Sequence, residues 1–170
     1  MQTYLIQQFT WRKTGLLFLV VIAINLCFAF LTPKIVGATD AHIPDISFGY
    51  TQVQLYAWLE AFGESGRQVY FYTTLLLDTL YPVVYAFLFA FLLVGVRARS
   101  WVYLPFLIAF VDMSENLCML YLTAQYPIQY PNVVIWASLS TQLKWLLLAL
   151  WAVVMAFQGL RLLLIGRSPN

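Results

Sequence analysis

From Thr14 to Leu31 the chain runs without a charged residue, and three more long apolar stretches follow, at about 69–96, 101–123 and 133–165. A helix needs about 20 mainly apolar residues to cross the hydrocarbon core of a bilayer, so each stretch is long enough to span. Composition agrees: 62% of the 170 residues are hydrophobic and 9% charged, and the mean hydropathy is +0.80. Ordinary globular chains carry about 25% charged residues. The expected fold is all-α: a single transmembrane domain over 1–170, built as an integral membrane four-helix bundle with spans at about 14–32, 69–96, 101–123 and 133–165.

The first span follows Arg12-Lys13 and is expected to stop at Pro33. A basic flank before an apolar run resembles a signal peptide, but no small-residue cleavage site is evident, and the run is long enough to cross. A polar loop with Pro33, Gly37, Pro44 and Gly49 comes next. Thr51-Gln52-Val53-Gln54 has the form of a capping box. Leu55, Trp58, Leu59 and Phe62 then recur at helical spacing, and Gly63 can end the element. This short amphipathic helix, about 51–63, is expected to lie in the membrane interface plane.

Orientation follows from the basic residues. Arg12, Lys13, Arg97, Arg99, Arg161 and Arg167 fall on one side of the four-span arrangement. Lys34 and Arg67 fall on the other, with Asp40, Asp45, Glu60 and Glu64. The positive-inside rule puts both termini in the cytoplasm, and a bacterial inner membrane is the expected location. Trp11, Trp101, Tyr103, Tyr126 and Tyr130 flank the spans as an aromatic belt does. A net charge of +2 is too small to imply nucleic acid. Cys27 and Cys118 form no C-x-x-C pair and read as packing residues. The single His42 lies in a loop, so no histidine-rich metal or haem site and no cofactor is expected.

Within the apolar runs a few polar residues stand out. Asp112, Glu115 and Asn116 in the third span sit three and four residues apart and share one helix face. Lipid cannot solvate a carboxylate, so that face must meet protein or trapped water. At 1.5 Å per helical residue, Asp78, Asp112, Glu115, Lys144 and Asn25 all fall about 10–17 Å below the outer surface. Four helices thus contribute to one polar layer. Three acids face one base there, so at least one carboxyl is expected to be protonated at neutral pH. Tyr81 and Tyr85 follow Asp78 on the same face. Pro82 cannot donate to the carbonyl of Asp78, four residues earlier, and leaves it an additional acceptor.

These residues also carry a resemblance. Gly49-Tyr50, Gly63, Gly66-Arg67, Tyr70, Leu77-Asp78-x-Leu80-Tyr81-Pro82-x-x-Tyr85, Asp112-x-x-Glu115-Asn116 and Lys144 resemble the pattern of a family of small four-span bacterial membrane proteins, from which no activity carries over. More distantly, the chain is similar to EXPERA-type four-helix proteins, the group of the sterol isomerases and the sigma-2 receptor. That resemblance implies acidic residues in a membrane cavity that binds cationic or carbocation-like molecules, with Asp78 and the following Tyr-Pro matching the acid and prolines of the second helix. The chain departs from that pattern in having Asn25 where the first span would bring an acid, and in Lys144.

The expected function is binding of, or acid/base chemistry on, a lipid-like small molecule. Asp78, Asp112 and Glu115 are the candidate catalytic acid/base set; Lys144, as counter-ion or oxyanion holder, forms the ligand-binding set with Asn116, Tyr81, Tyr85 and Asn25. Membrane lipids are the expected partners. One alternative is proton-coupled or ion-coupled transport, for which four spans would require a homo-oligomer. Another is a structural or accessory subunit without chemistry, its buried charges specifying helix packing. A retinal-type Schiff base at Lys144 would need more spans than four. The chain has no phosphate loop, no H-E-x-x-H and no nucleophile elbow.

Overall fold

The computed structural model describes residues 2–165, and every regular element among them is helical. A short helix, α1 (Gln2–Gln8), precedes α2 (Trp11–Val36). Leu5 of α1 is buried in a cluster with Phe91, Val94 and Val102, and the Gln2 side chain donates to the carbonyl of Arg99. Thr10 caps α2 by accepting from the Lys13 amide, satisfying one of the orphan donors of the first turn. Pro33 does not stop α2, contrary to the sequence expectation. A proline within a helix loses one backbone bond but keeps helical φ, and the helix continues to Val36. It ends at Gly37, whose φ of 60° no β-carbon would favour and whose amide bonds back to Pro33.

The loop that follows makes one 3₁₀ turn, Pro44–Ile46, and enters α3 (Gln52–Ala61) through Thr51. Both bonds of the expected capping box form, Thr51 with the Gln54 amide and the Gln54 side chain with the Thr51 amide. α3 buries Leu55, Tyr56 and Leu59, and with Phe62 they pack on Met119, Leu122, Val134 and Ala137. Its Tyr56 hydroxyl donates to Ile128 and accepts from the Tyr130 amide, tying the next loop over to it. Gly63, at φ 65°, turns the chain from α3 into α4 (Gly63–Thr73).

α4 runs without interruption through a π-helical segment, Thr74–Asp78, into α5 (Thr79–Gly95). This helix therefore starts six residues before the expected span at 69. The sequence reading set that boundary by hydropathy, which the polar first turns of α4 conceal. A left-handed Arg97 and a 3₁₀ turn lead to α6 (Leu104–Ala124), and α7 (Pro131–Ile165) closes the chain. The expected basic tail with Arg167 lies outside the described residues.

Four helical stretches are long and apolar enough to cross a membrane: Trp11–Val36, Gly63–Gly95, Arg99–Ala124 and Pro131–Leu164. α2 packs on α4 and α5, α5 on α6, and α6 along α7, while α2 and α7 do not pack closely. At the α2–α4 crossing, a β-carbon on Gly66 would collide with the Ile35 carbonyl oxygen, so only glycine allows that approach. The distribution of polarity is inverted relative to a water-soluble protein. Phe30, Phe110, Leu117 and Phe157 are exposed, whereas Asp112, Glu115, Asn116 and Lys144 are buried.

Candidate functional site

α6 supplies Asp112, Glu115 and Asn116 from one face, as their spacing predicts, but the three side chains diverge. Asp112 Oδ2 accepts from the Tyr85 hydroxyl of α5 at 2.8 Å, and its Oδ1 lies 3.0 Å from Lys144 Nζ of α7. Glu115, fully buried, accepts from the Thr141 hydroxyl at 2.6 Å and lies 2.7 Å from the same ammonium. Asn116 donates to the carbonyl oxygen of Asp78 at 2.7 Å. This is the carbonyl that Pro82 cannot reach. The π-helical segment loosens the same turn further, with the Thr79 amide and hydroxyl both directed to the Thr74 carbonyl. A backbone acceptor freed by local sequence is thus satisfied by a buried amide from another helix.

Lys144 is the hub. An ammonium has three donors and no acceptor capacity. Here two are committed, to Asp112 and to the backbone carbonyl of Asp45 at 3.1 Å, while Glu115 Oε2 lies 2.7 Å away as an ion pair outside hydrogen-bond geometry. Asp45 comes from the 3₁₀ turn after α2. Its Oδ2 accepts from the Tyr70 hydroxyl at 2.9 Å, while Oδ1 is buried without a hydrogen-bond partner. Burial raises the Asp45 carboxyl above the usual carboxylate range. The Lys144 ammonium and the Tyr70 hydrogen bond oppose the rise, and the Asp112 charge adds to it.

These groups border a cavity of about 400 Å³ enclosed by α2, the 43–46 turn, α4, α5, α6 and α7. That volume lies in the range of small-molecule sites, about 300–1,000 Å³. Asp45, Asp78, Asp112 and Lys144 reach it, among mainly apolar and aromatic neighbours. Tyr81, Tyr85 and Phe89 follow one another along α5 with ring centroids 5.3 Å apart at each step, and Phe89 stacks on Trp151 of α7 at 4.1 Å. Asn25 of α2 donates to the Tyr81 hydroxyl at 3.0 Å and, like Ile46, is exposed at the rim. The cavity lies between α2 and α7, the two long helices that do not pack closely, and Trp145 and Leu148 line it from α7.

The expected polar layer is thereby brought together with one division. Asp78, Asp112, Lys144, Tyr81, Tyr85 and Asn25 line the cavity. Glu115 and Asn116 sit behind it, each holding a group that does. The Asp78 carboxyl differs from the other acids: it makes no side-chain hydrogen bond and no ion pair among the described residues. The Tyr81 hydroxyl, three residues on, accepts from Asn25 and keeps its own proton uncommitted. Among the described residues no three His, Cys, Asp or Glu side chains converge as metal ligands do.

Sequence reasoning missed Asp45 and Tyr70. Asp45 reads as a solvated loop acid by its charge and position. The signal that distinguishes it is its setting in Ile43-Pro44-Asp45-Ile46, apolar on both sides within an otherwise polar loop. Tyr70 was visible as part of the family-like pattern without a chemical role.

No protein-family model, no curated protein and no solved structure matches the chain.

Proposed function

We propose that the chain is an integral membrane protein of the bacterial inner membrane whose cavity binds a lipid-like molecule with a cationic or protonatable head. The four long helices form a bundle across the bilayer. α3 and the 43–46 turn cover its outer end in the interface plane, and the termini are cytoplasmic. What supports this placement is apolar surface on the outside of the helices, ionisable groups within, and the clustering of Arg12, Lys13, Arg97, Arg99 and Arg161 toward one end.

The observation that carries the ligand reading is the uncommitted Asp78 carboxyl in a mainly apolar cavity whose one ammonium is already ion-paired to two other carboxylates. The Lys144 charge is already met by two carboxylates, Asp112 and Glu115, so the surplus acids Asp78 and Asp45 set the sign of the site. In this reading Asp78 receives or returns the head-group proton, the Tyr81 hydroxyl donates beside it, and Asp112 with Tyr85 borders the same space. Glu115 acts on Lys144 as an enclosed counter-ion, and Asn116 positions the backbone of Asp78. Apolar tails reach the cavity sideways, through the loosely packed seam between α2 and α7. The resemblance to EXPERA-type proteins implies the same chemistry.

The test uses the full chain purified in detergent and three probes of one chain length: a dodecyl amine, alcohol and carboxylic acid. The amine is expected to raise the thermal midpoint at the lowest concentration, and Asp78→Asn to remove that advantage. Equal responses to all three probes, or an amine response untouched by Asp78→Asn, would defeat the reading.

A further inference from the structure

A second recess, of about 510 Å³, lies on another face of α4 against the C-terminal end of α6, and shares no lining residue with the cavity. Its chemistry is that of a charge pair kept apart. The Arg67 guanidinium carbon lies over the Tyr126 ring, 4.0 Å from its centroid, and Nη1 donates to the Leu59 carbonyl at 2.8 Å. A guanidinium has five N–H donors. Four remain uncommitted, because Arg67 makes no ion pair among the described residues. Glu64 stands one helical turn before it and lines the same recess without pairing to it.

Thr123 supplies an independent observation. It lines the recess from α6, is only 8% exposed, and its hydroxyl is buried with no hydrogen-bond partner. A helical threonine ordinarily bonds back to the carbonyl four residues earlier, as Thr14 does to Thr10 at 3.0 Å. Thr123 does not, so a buried donor and acceptor is left unpaired in the recess that Arg67 also lines. Tyr72 at the edge of the recess and Leu76, one turn beyond it, are 60% and 65% exposed and continue as an apolar track.

We propose that this recess binds the headgroup of a zwitterionic phospholipid that carries a primary ammonium. The phosphate sits on the planar fork of Arg67 and on the Thr123 hydroxyl, for which a guanidinium has the matching geometry. The ammonium sits on Glu64, and the acyl chains lie along Tyr72 and Leu76. A purely anionic head satisfies Arg67 but meets Glu64 as a like charge, and a trimethylated head has no N–H for Glu64 to accept. The inference rests on the placement of the chain in a bilayer and is separate from what the cavity binds.

The experiment is a thermal-shift titration of the delipidated full chain in detergent. The probes are short-chain phosphatidylethanolamine, phosphatidylcholine and phosphatidylglycerol, with water-soluble O-phosphoethanolamine as a further arm. Phosphatidylethanolamine is expected to act at about tenfold lower concentration than the other two lipids. Thr123→Val is expected to weaken its effect about tenfold, and Glu64→Gln to erase its advantage over phosphatidylglycerol, while Asp78→Asn in the cavity leaves both unchanged. Equal potency of the three lipids on the native chain overturns the proposal, as does an unaltered preference in Glu64→Gln. An equal effect of O-phosphoethanolamine at the same concentration overturns a lipid as the occupant. Release of the chain from membranes by alkaline carbonate without detergent would instead reject the bilayer placement itself.

Discussion

Replacing Lys144 by methionine keeps most of the side-chain volume and removes the ammonium that holds three elements together. Asp112 and Glu115 then face each other with no cation, at 3.0 Å and 2.7 Å from where Nζ stood, and the Asp45 carbonyl loses its donor. Neither carboxylate can turn to solvent, since their side chains are 7% and 0% exposed. Breaking a buried ion pair by removing one partner costs about 3–5 kcal/mol, because the other charge stays buried and unpaired. Two charges are orphaned here, so the upper part of that range applies. Removing the acids as well reverses much of the loss: in the triple variant Lys144→Met, Asp112→Asn, Glu115→Gln, hydrogen bonds from Tyr85 and Thr141 still have acceptors. The expected order of stability is native, then triple variant, then Lys144→Met alone, with at least about 2 kcal/mol between the last two. Reversible unfolding of detergent-solubilised protein by increasing SDS, followed by tryptophan fluorescence, measures the order. If Lys144→Met proves as stable as the triple variant, the ammonium is not the counter-ion on which these acids depend, and the account of the hub is refuted.

Three further outcomes follow from single contacts. Asp45 has a carboxyl raised by burial, so its protonated form favours the folded state; that contribution is complete below the ordinary carboxylate value of about 3.9 and is lost as pH rises through the raised one. Thermal midpoints taken from pH 4 upward should therefore fall with pH in the native chain more steeply than in Asp45→Asn, and parallel curves would contradict this. Tyr85→Phe removes the 2.8 Å bond to Asp112 and should cost about 1.5–3 kcal/mol, as bonds to charged groups do, in the same SDS unfolding assay; a neutral substitution would mean that Asp112 is satisfied by Lys144 alone. Gly66→Ala drives a β-carbon into the Ile35 carbonyl, and the forced separation of α2 from α4 should cost about 1–3 kcal/mol. An unchanged unfolding midpoint would show that the crossing is slack.

The candidate site was legible in part, and the pattern of success is physical. Depth along a helix is set by rise per residue, so counting placed Asp78, Asp112, Lys144 and Asn25 at one level, and they line one cavity. The loss of a donor at Pro82 is likewise local, and the Asp78 carbonyl it leaves open is the one that Asn116 reaches. Which of three neighbouring groups on α6 faces the cavity is not local. Glu115 shares a face with Asp112, yet the closer approach of α6 to α7 encloses it against Thr141, and α5 lies only where it can reach Asp112. Asp45 was out of reach for the same reason. Its burial depends on where a loop of some fifteen residues folds back between α2, Tyr70 and Lys144, and nothing in its immediate neighbours beyond their apolarity encodes that.

The sequence by itself determined the four long apolar helices, the capping box at Thr51 and the presence of ionisable groups inside apolar runs. Each of these depends on interactions within a few residues or on transfer from water, which composition records directly. Only the tertiary structure decided that Lys144 is surrounded by Asp112, Glu115 and a loop carbonyl, and that the Asp78 carboxyl is left open. The partner of a buried charge is chosen by which helices pack and how closely. Here α6 and α7 close around the ammonium, while α2 and α7 stand apart and leave the cavity between them.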